Sequence, residues 1–208
     1  MRHAIIAVIV AIAFALGAPA VSAQEMTDQQ FVSFAAMGGL AEVQLGRLAT
    51  ERAGRGSVQQ FGQRMVLDHG AMNADLAKLA YRKSMSMPMA PDDAHQQAQE
   101  RLARLSRHEF DRAYMQEMVA DHTKDIARFE HQAQSGIDPD LRAFAAEALP
   151  VLRRHLEMAR DVNTQVVLGP VEPAQPAASP MERPAPVTWC SGAYAHAGGT
   201  NFGACIAK

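Results

Sequence analysis

The sequence predicts an all-α protein built on four long helices. Three observations carry this. Apolar residues recur at three- and four-residue steps through four long stretches, helix-starting signatures stand in front of those stretches, and the alternation that would make strands is nearly absent.

The chain opens with a segment that is not part of that fold. Arg2 and His3 are followed by an unbroken apolar run from Ala4 to Leu16, and Gly17, Pro19 and Ser22 loosen its end. Val21-Ser22-Ala23 is a small-residue cleavage site, so residues 1–23 read as a signal peptide and the mature chain starts at Gln24. The run is well short of the roughly 20 residues that span a bilayer, and no comparable run follows. The expected destination is the periplasm or the medium, with no membrane-spanning segment after cleavage.

Residues 24–166 carry the helices. Thr27 with Gln30 forms a capping box, in which each side chain satisfies a backbone donor that the first helical turn leaves unpaired. The first helix is expected from about Thr27 to Ala53, with Phe31, Phe34/Ala35, Gly38, Leu45 and Leu48/Ala49 on one face. Gly38, Gly39 and Gly46 weaken it but allow a neighbour to come close. Gly54 and Gly56 end it, and Ser57 with Gln60 repeats the capping signature for a second helix to about Lys83, lined by Val58, Phe61, Met65, Met72, Leu76 and Leu79. Pro88 and Pro91 break the chain, and Asp92 or Asp93 caps a short helix to about Leu105. Ser106 with Glu109 opens the third long helix, lined by Phe110, Tyr114, Met118, Ile126 and Phe129 and closed near Gly136. Asp138-Pro139 is an N-cap followed by proline at the first helical position, and starts the fourth, to about Val166. Pro150 inside it predicts a kink.

The first and third connections are short, so the four helices make two antiparallel hairpins. The middle connection contains a helix of its own, long enough to carry the chain back along the bundle. One long crossover of this kind is the ferritin-like arrangement, and a simple up-and-down bundle is the alternative. Residues 167–187 are rich in Pro, Ala and Glu and read as a disordered linker. Residues 188–208 form a small C-terminal loop in which Cys190 and Cys205, in an exported chain, read as a disulfide.

Composition excludes some partners. The chain has 20 Lys+Arg against 22 Asp+Glu, which gives nucleic acid no electrostatic footprint. The C-terminal tail is a candidate contact with the envelope or cell wall. No nucleophile stands beside a base and there is no phosphate-binding loop, so an enzyme is the least supported class.

The apolar stripes are interrupted once in each long helix. Glu42 falls between Gly38 and Leu45, His69 between Met65 and Met72, His122 between Met118 and Ile126, and His155 between Leu152 and Ala159. A lone histidine on an apolar face is usually a hydrogen-bonded core residue. Four interruptions on four helices are harder to explain in that way, because burying an unpaired carboxylate costs several kcal/mol and metal ligation is one of few compensations. One Glu and three His suit a single Zn²⁺, Fe²⁺ or Cu²⁺. Glu42 and His69 lie at matching depths from their turn, whereas His122 and His155 are mismatched by about one helical turn or more. The cassette M-V-x-D-H occurs twice, at 65–69 and 118–122, and sets Asp68 and Asp121 beside a histidine, where each can support a ligand on the opposite helix. Asp111 and Tyr114, one turn into the third long helix, are further candidates for that outer role, although an acid near a helix start is favoured by the dipole alone.

A separate reading concerns Met85, Met87 and Met89, with His95 and His108 nearby. Thioethers select Cu(I), while the plain alternative is a loop whose methionines pack on the bundle.

Taken together, Gly39-Leu40-Ala41-Glu42, Met65-Val66-Leu67-Asp68-His69, Phe110-Asp111-Arg112-Ala113-Tyr114, Asp121-His122 and the segment from Leu149 to Leu156 resemble the bacterial family called domain of unknown function 4142, over about residues 26–162. The resemblance implies a ferritin-like fold in an exported protein, and members are often labelled outer-membrane proteins. No series of alternating strands that would build a barrel is present. Ferritin-like di-iron proteins use Glu-x-x-His pairs, and none occurs at His69, His122 or His155, so a di-iron centre is not expected. The resemblance leaves activity open, between a single-metal protein, a metal-free structural or envelope-stress protein, and a copper-handling one.

Overall fold

A computed structural model of the chain describes residues 26–169, in which five helices follow one another: α1 (Asp28–Arg52), α2 (Gly56–Arg82), α3 (Asp93–Ala103), α4 (Arg107–Ser135) and α5 (Pro139–Leu168). No strand occurs among the described residues. The expected leader, most of the expected linker and the expected Cys190/Cys205 loop lie outside them.

Most helix starts follow from local chemistry. The Thr27/Gln30 box is formed, Asp92 caps α3 through the His95 amide, Ser106 and Glu109 form their box, and Asp138 accepts from the amides of Asp140 and Leu141 ahead of Pro139. The start of α2 departs from the expectation. The helix begins at Gly56 with Arg55 as N-cap and no side-chain cap bond, so Ser57 and Gln60 do not form a capping box. Its turn is held from a distance instead: the buried Asp111 carboxylate accepts from the amides of Gly54 at 2.9 Å and Arg55 at 3.0 Å. α5 continues unbroken through Pro150.

Contacts between helix ends decide the topology. Asp28, at the start of α1, accepts from Gln132 Nε2 and from the amides of Ile137 and Asp138, so α4 ends where α1 begins. Asp111, at the start of α4, reaches the α1–α2 turn, so α4 runs antiparallel to α1 and parallel to α2. Lys83, just past the end of α2, pairs with Asp138 and Asp140 at the start of α5. The chain must therefore travel the length of the bundle between α2 and α4, and α3 carries it, packing on α1 and α4. This is the ferritin-like crossover and not the up-and-down arrangement. Around the bundle the order is α1, α2, α5, α4.

The core is in two parts. One apolar cluster, with Phe31, Leu76, Phe129, Leu141 and Leu152, fills the end where α1 begins; Phe31 and Phe129 meet edge to face at 5.0 Å. The other, with Leu45, Phe61, Met65, Phe110, Tyr114 and Met118, fills the end at the α1–α2 turn. Each large apolar side chain buried there contributes roughly 1.5–3 kcal/mol. Between the two clusters lies a polar layer made of Glu42, His69, His122 and His155.

Candidate metal centre

All four polar residues of that layer are buried, and His122 and His155 have no exposed surface. The three histidines form a nearly equilateral group, with ring centroids 5.5 Å apart for His69 and His122, 5.3 Å for His69 and His155, and 5.4 Å for His122 and His155. One ring nitrogen from each lies within 4.8 Å of the other two.

The depth mismatch between His122 and His155 is real in the backbone. His122 stands 13 residues before Ser135, and His155 stands 16 residues after Pro139. Side chains on a helix lean toward its N-terminus. His122 therefore leans away from the α4–α5 turn and His155 leans toward it, which closes most of the gap.

Hydrogen bonds fix which ring nitrogens keep a lone pair. His122 Nδ1 lies 2.9 Å from the Met118 carbonyl, which can only accept, so the proton sits on Nδ1 and Nε2 keeps its lone pair. That Nε2 is 3.4 Å from His69 Nε2. His155 Nε2 lies 2.8 Å from Asp68 Oδ2 on α2, and donates to it when the carboxylate is ionised. His155 Nδ1 then carries a lone pair, is buried, and has no hydrogen-bond partner. Asp68 thus serves the opposite helix, as its cassette suggested.

The environment favours neutral rings. Burial, reinforced by the neighbouring histidines, holds His69 well below its usual range, and burial with His155 nearby lowers His122 to about 4. Metal ligation needs this deprotonated form.

Glu42 is placed differently from the histidines. Its Oε1 is 3.7 Å from His122 Nδ1, behind the ring and away from Nε2, so it is not one of the clustered ligand atoms. Its Oε2 is buried without a partner, and burial together with the charges of Asp125, Asp121 and Glu117 pushes its carboxyl well above the ordinary range. Asp121 has no hydrogen bond to a histidine among the described residues, and acts on the layer as a nearby negative charge. Asp111 holds the α1–α2 turn. Tyr114 packs against Phe61 and stacks on Phe110, and its buried hydroxyl feels Glu42. Met85 and Met87 pack on the Phe31 cluster while Met89 is exposed, which is the plain packing reading for two of the three methionines.

Comparisons with known proteins bear on the family and the fold. A family described as "Domain of unknown function (DUF4142)" matches residues 14–162. The chain belongs to this family. A solved structure, a DUF305 fragment from Deinococcus radiodurans, superposes with a TM-score of 0.59 at 15% identity, covering 67% of this chain and 98% of that one. At that identity the likeness concerns the fold alone. No curated protein matches. Membership in DUF4142 leaves the chemistry of the bundle to be read from the residues. No helix of the described part is long and apolar enough to cross a membrane.

Two residues near the histidines escape a sequence reading. Asn73 and Asp125 sit one turn along from His69 and His122, at positions that look like a solvated face, and the only hint is the spacing of Asp121 and Asp125 on one side of α4. Burial and the neighbouring Asp121 push Asp125 up to about 7, against the opposing pull of Lys124. An acid raised in the folded state is destabilising once ionised, so its contribution to stability is lost as pH rises from near 4, its unfolded value, to about 7. Asp125→Asn should therefore stabilise the apoprotein more at pH 8 than at pH 5, by on the order of 1–2 kcal/mol after solvent screening. Urea denaturation at the two pH values measures this, and an equal effect at both would contradict it.

Proposed function

We propose that this DUF4142 protein binds one transition-metal ion in its core through His122 Nε2, His155 Nδ1 and His69. The observation that carries the reading is the lone pair on His155 Nδ1. It is buried and has no partner, and the bond from Nε2 to Asp68 leaves it without the proton. A metal-free network has the outward bonds of His122 and His155 but joins the histidines to one another only through the 3.4 Å contact of His69 and His122, and it leaves His155 Nδ1 unsatisfied. Ligation at about 2.0–2.1 Å per bond needs nitrogens roughly 3.3 Å apart. The His69–His122 pair is already at that spacing, and the remaining separations close with small ring movements. Imidazole donors suit Zn²⁺, Fe²⁺ or Cu²⁺. In this reading Glu42 and the Met118 carbonyl orient His122 from behind, and Asp68 does so for His155.

The same proposal takes residues 1–23 as a cleaved leader, with the periplasm or the medium as the site of action. An N-terminus other than Gln24 on the exported protein would contradict that part.

Metal titration of the chelator-treated protein tests the core claim. One ion per chain is expected, and no binding in His122→Ala. Binding unchanged in His122→Ala would overturn it. Asp68→Ala should leave a site whose affinity is about 10–100-fold weaker, because His155 loses the partner that holds its tautomer. Competition against a chelator of known affinity reads the change.

A further inference from the structure

Both histidines of the repeated cassette M-V-x-D-H belong to the cluster, and each has the methionine of its own cassette one turn away. Met65 stands four residues before His69, and Met118 four before His122. Residues four apart on a helix share a face, one turn above the other. α2 and α4 run parallel and their histidines meet, Nε2 to Nε2, at 3.4 Å, so the two cassettes lie at one depth in the bundle. Met65 and Met118 therefore lie together one turn nearer the α1–α2 turn, in the same apolar cluster, and neither has exposed surface. A pair of histidines stands over a pair of thioethers.

The other side of the layer is different. Four residues after each histidine come Asn73, beside a small cavity, and Ile126, which packs on the Phe31 cluster. A soft donor is thus offered by the cassettes on one side only.

Three nitrogens drawn from three helices leave the fourth corner of a tetrahedral ion pointing along the bundle axis. Toward the α1–α2 turn, that corner meets the level of Met65 and Met118. Methionine has three rotatable bonds, so a sulfur can turn toward an ion without a helix moving. Thioethers are soft donors that suit Cu(I). Charge points the same way. The clustered donors are imidazoles and a thioether adds no charge, so a bound ion keeps its own; the cost of burying an ion grows with the square of its charge, which favours a monovalent ion over a divalent one.

Resting on the metal reading above, we infer that the ion this centre prefers is Cu(I), and that the sulfur of Met65 or Met118 is its fourth ligand. Zn²⁺, when offered, is held by the three histidines alone.

The double variant Met65→Leu/Met118→Leu tests this, because leucine keeps the apolar volume and removes the sulfur. On the full chain, Cu(I) affinity is read under ascorbate by competition with bicinchoninate, and Zn²⁺ affinity by competition with a chromophoric chelator. The variant should lose at least tenfold in Cu(I) affinity and less than threefold in Zn²⁺ affinity. An unchanged Cu(I) affinity, or an equal loss for both ions, would overturn the inference. Copper X-ray absorption of wild-type protein holding one Cu(I) per chain should show a sulfur neighbour beside the nitrogens, absent in the variant. Nitrogen neighbours alone in the wild type would overturn the inference even if the variant fails to fold, and so would a sulfur neighbour that survives in a folded variant. If neither Cu(I) nor Zn²⁺ binding depends on His122, the metal reading itself fails; Zn²⁺ held through His122 with no sulfur at the copper sinks this inference alone.

Discussion

His155→Ala should abolish the thermal stabilisation that a bound metal gives this bundle. A ligand present at a thousand times its dissociation constant stabilises the folded state by about 4 kcal/mol. For a domain of this size each kcal/mol moves Tm by roughly 2–4 °C, so wild-type protein should melt about 8–16 °C higher with saturating metal than with chelator. The variant should show almost none of that difference. Its melting point in chelator should also fall, because removing a fully buried ring leaves a cavity, so the difference between metal and chelator, and not the absolute Tm, is the readout. Differential scanning calorimetry with and without Zn²⁺ gives both numbers. A wild-type Tm that ignores metal and chelator alike would instead favour the metal-free network, in which the histidines satisfy one another.

The contrast between what was legible in the sequence and what was not follows the range of the interactions. Thr27 with Gln30, Ser106 with Glu109, and Asp138 before Pro139 each act within one helical turn, so their helices start where the residues say. Ser57 with Gln60 carries the same signature and is not used, because the helix starts at Gly56, with Ser57 already inside its first turn, and the connection before it is held by Asp111, more than fifty residues away in sequence, through the amides of Gly54 and Arg55. The polar layer was legible as one interruption per apolar stripe, since helical periodicity alone puts those four residues inward. Its internal arrangement was not. Whether His122 meets His155 depends on the direction in which each side chain leans, and whether Glu42 joins them depends on which side of the His122 ring it approaches. Asp125 and Asn73 were missed for a related reason: a polar residue at the margin of a stripe looks the same whether it faces solvent or a cavity.

Gly46→Val should cost about 3 kcal/mol or more of stability and weaken metal binding as well. A Cβ on Gly46 would stand 2.6 Å from the Gly62 carbonyl oxygen and 3.1 Å from both Met65 Cβ and Val66 Cγ2. Gly62 is equally constrained in return, meeting the Gly46 carbonyl oxygen at 2.7 Å. A flexible side chain can swing away from such an overlap, but a helical carbonyl cannot, so α1 and α2 must move apart. Valine also brings two further methyl groups and its own stiffness at χ1. The displaced region adjoins the polar layer, since Glu42 is one turn before Gly46 and Met65 is one turn before His69. Separation there should therefore shift His69 relative to His122, whose nitrogens are already at ligating distance. Gly38→Ala on the same helix gives the opposite sign. Its Cβ meets nothing, and replacing a helical glycine by alanine should stabilise the protein by about 0.5–1 kcal/mol. Urea denaturation of both variants, with metal affinity measured for the first, sets the two glycines against each other. A Gly46→Val protein as stable as wild type would mean that the close approach of α1 and α2 is not what holds the histidine layer in register.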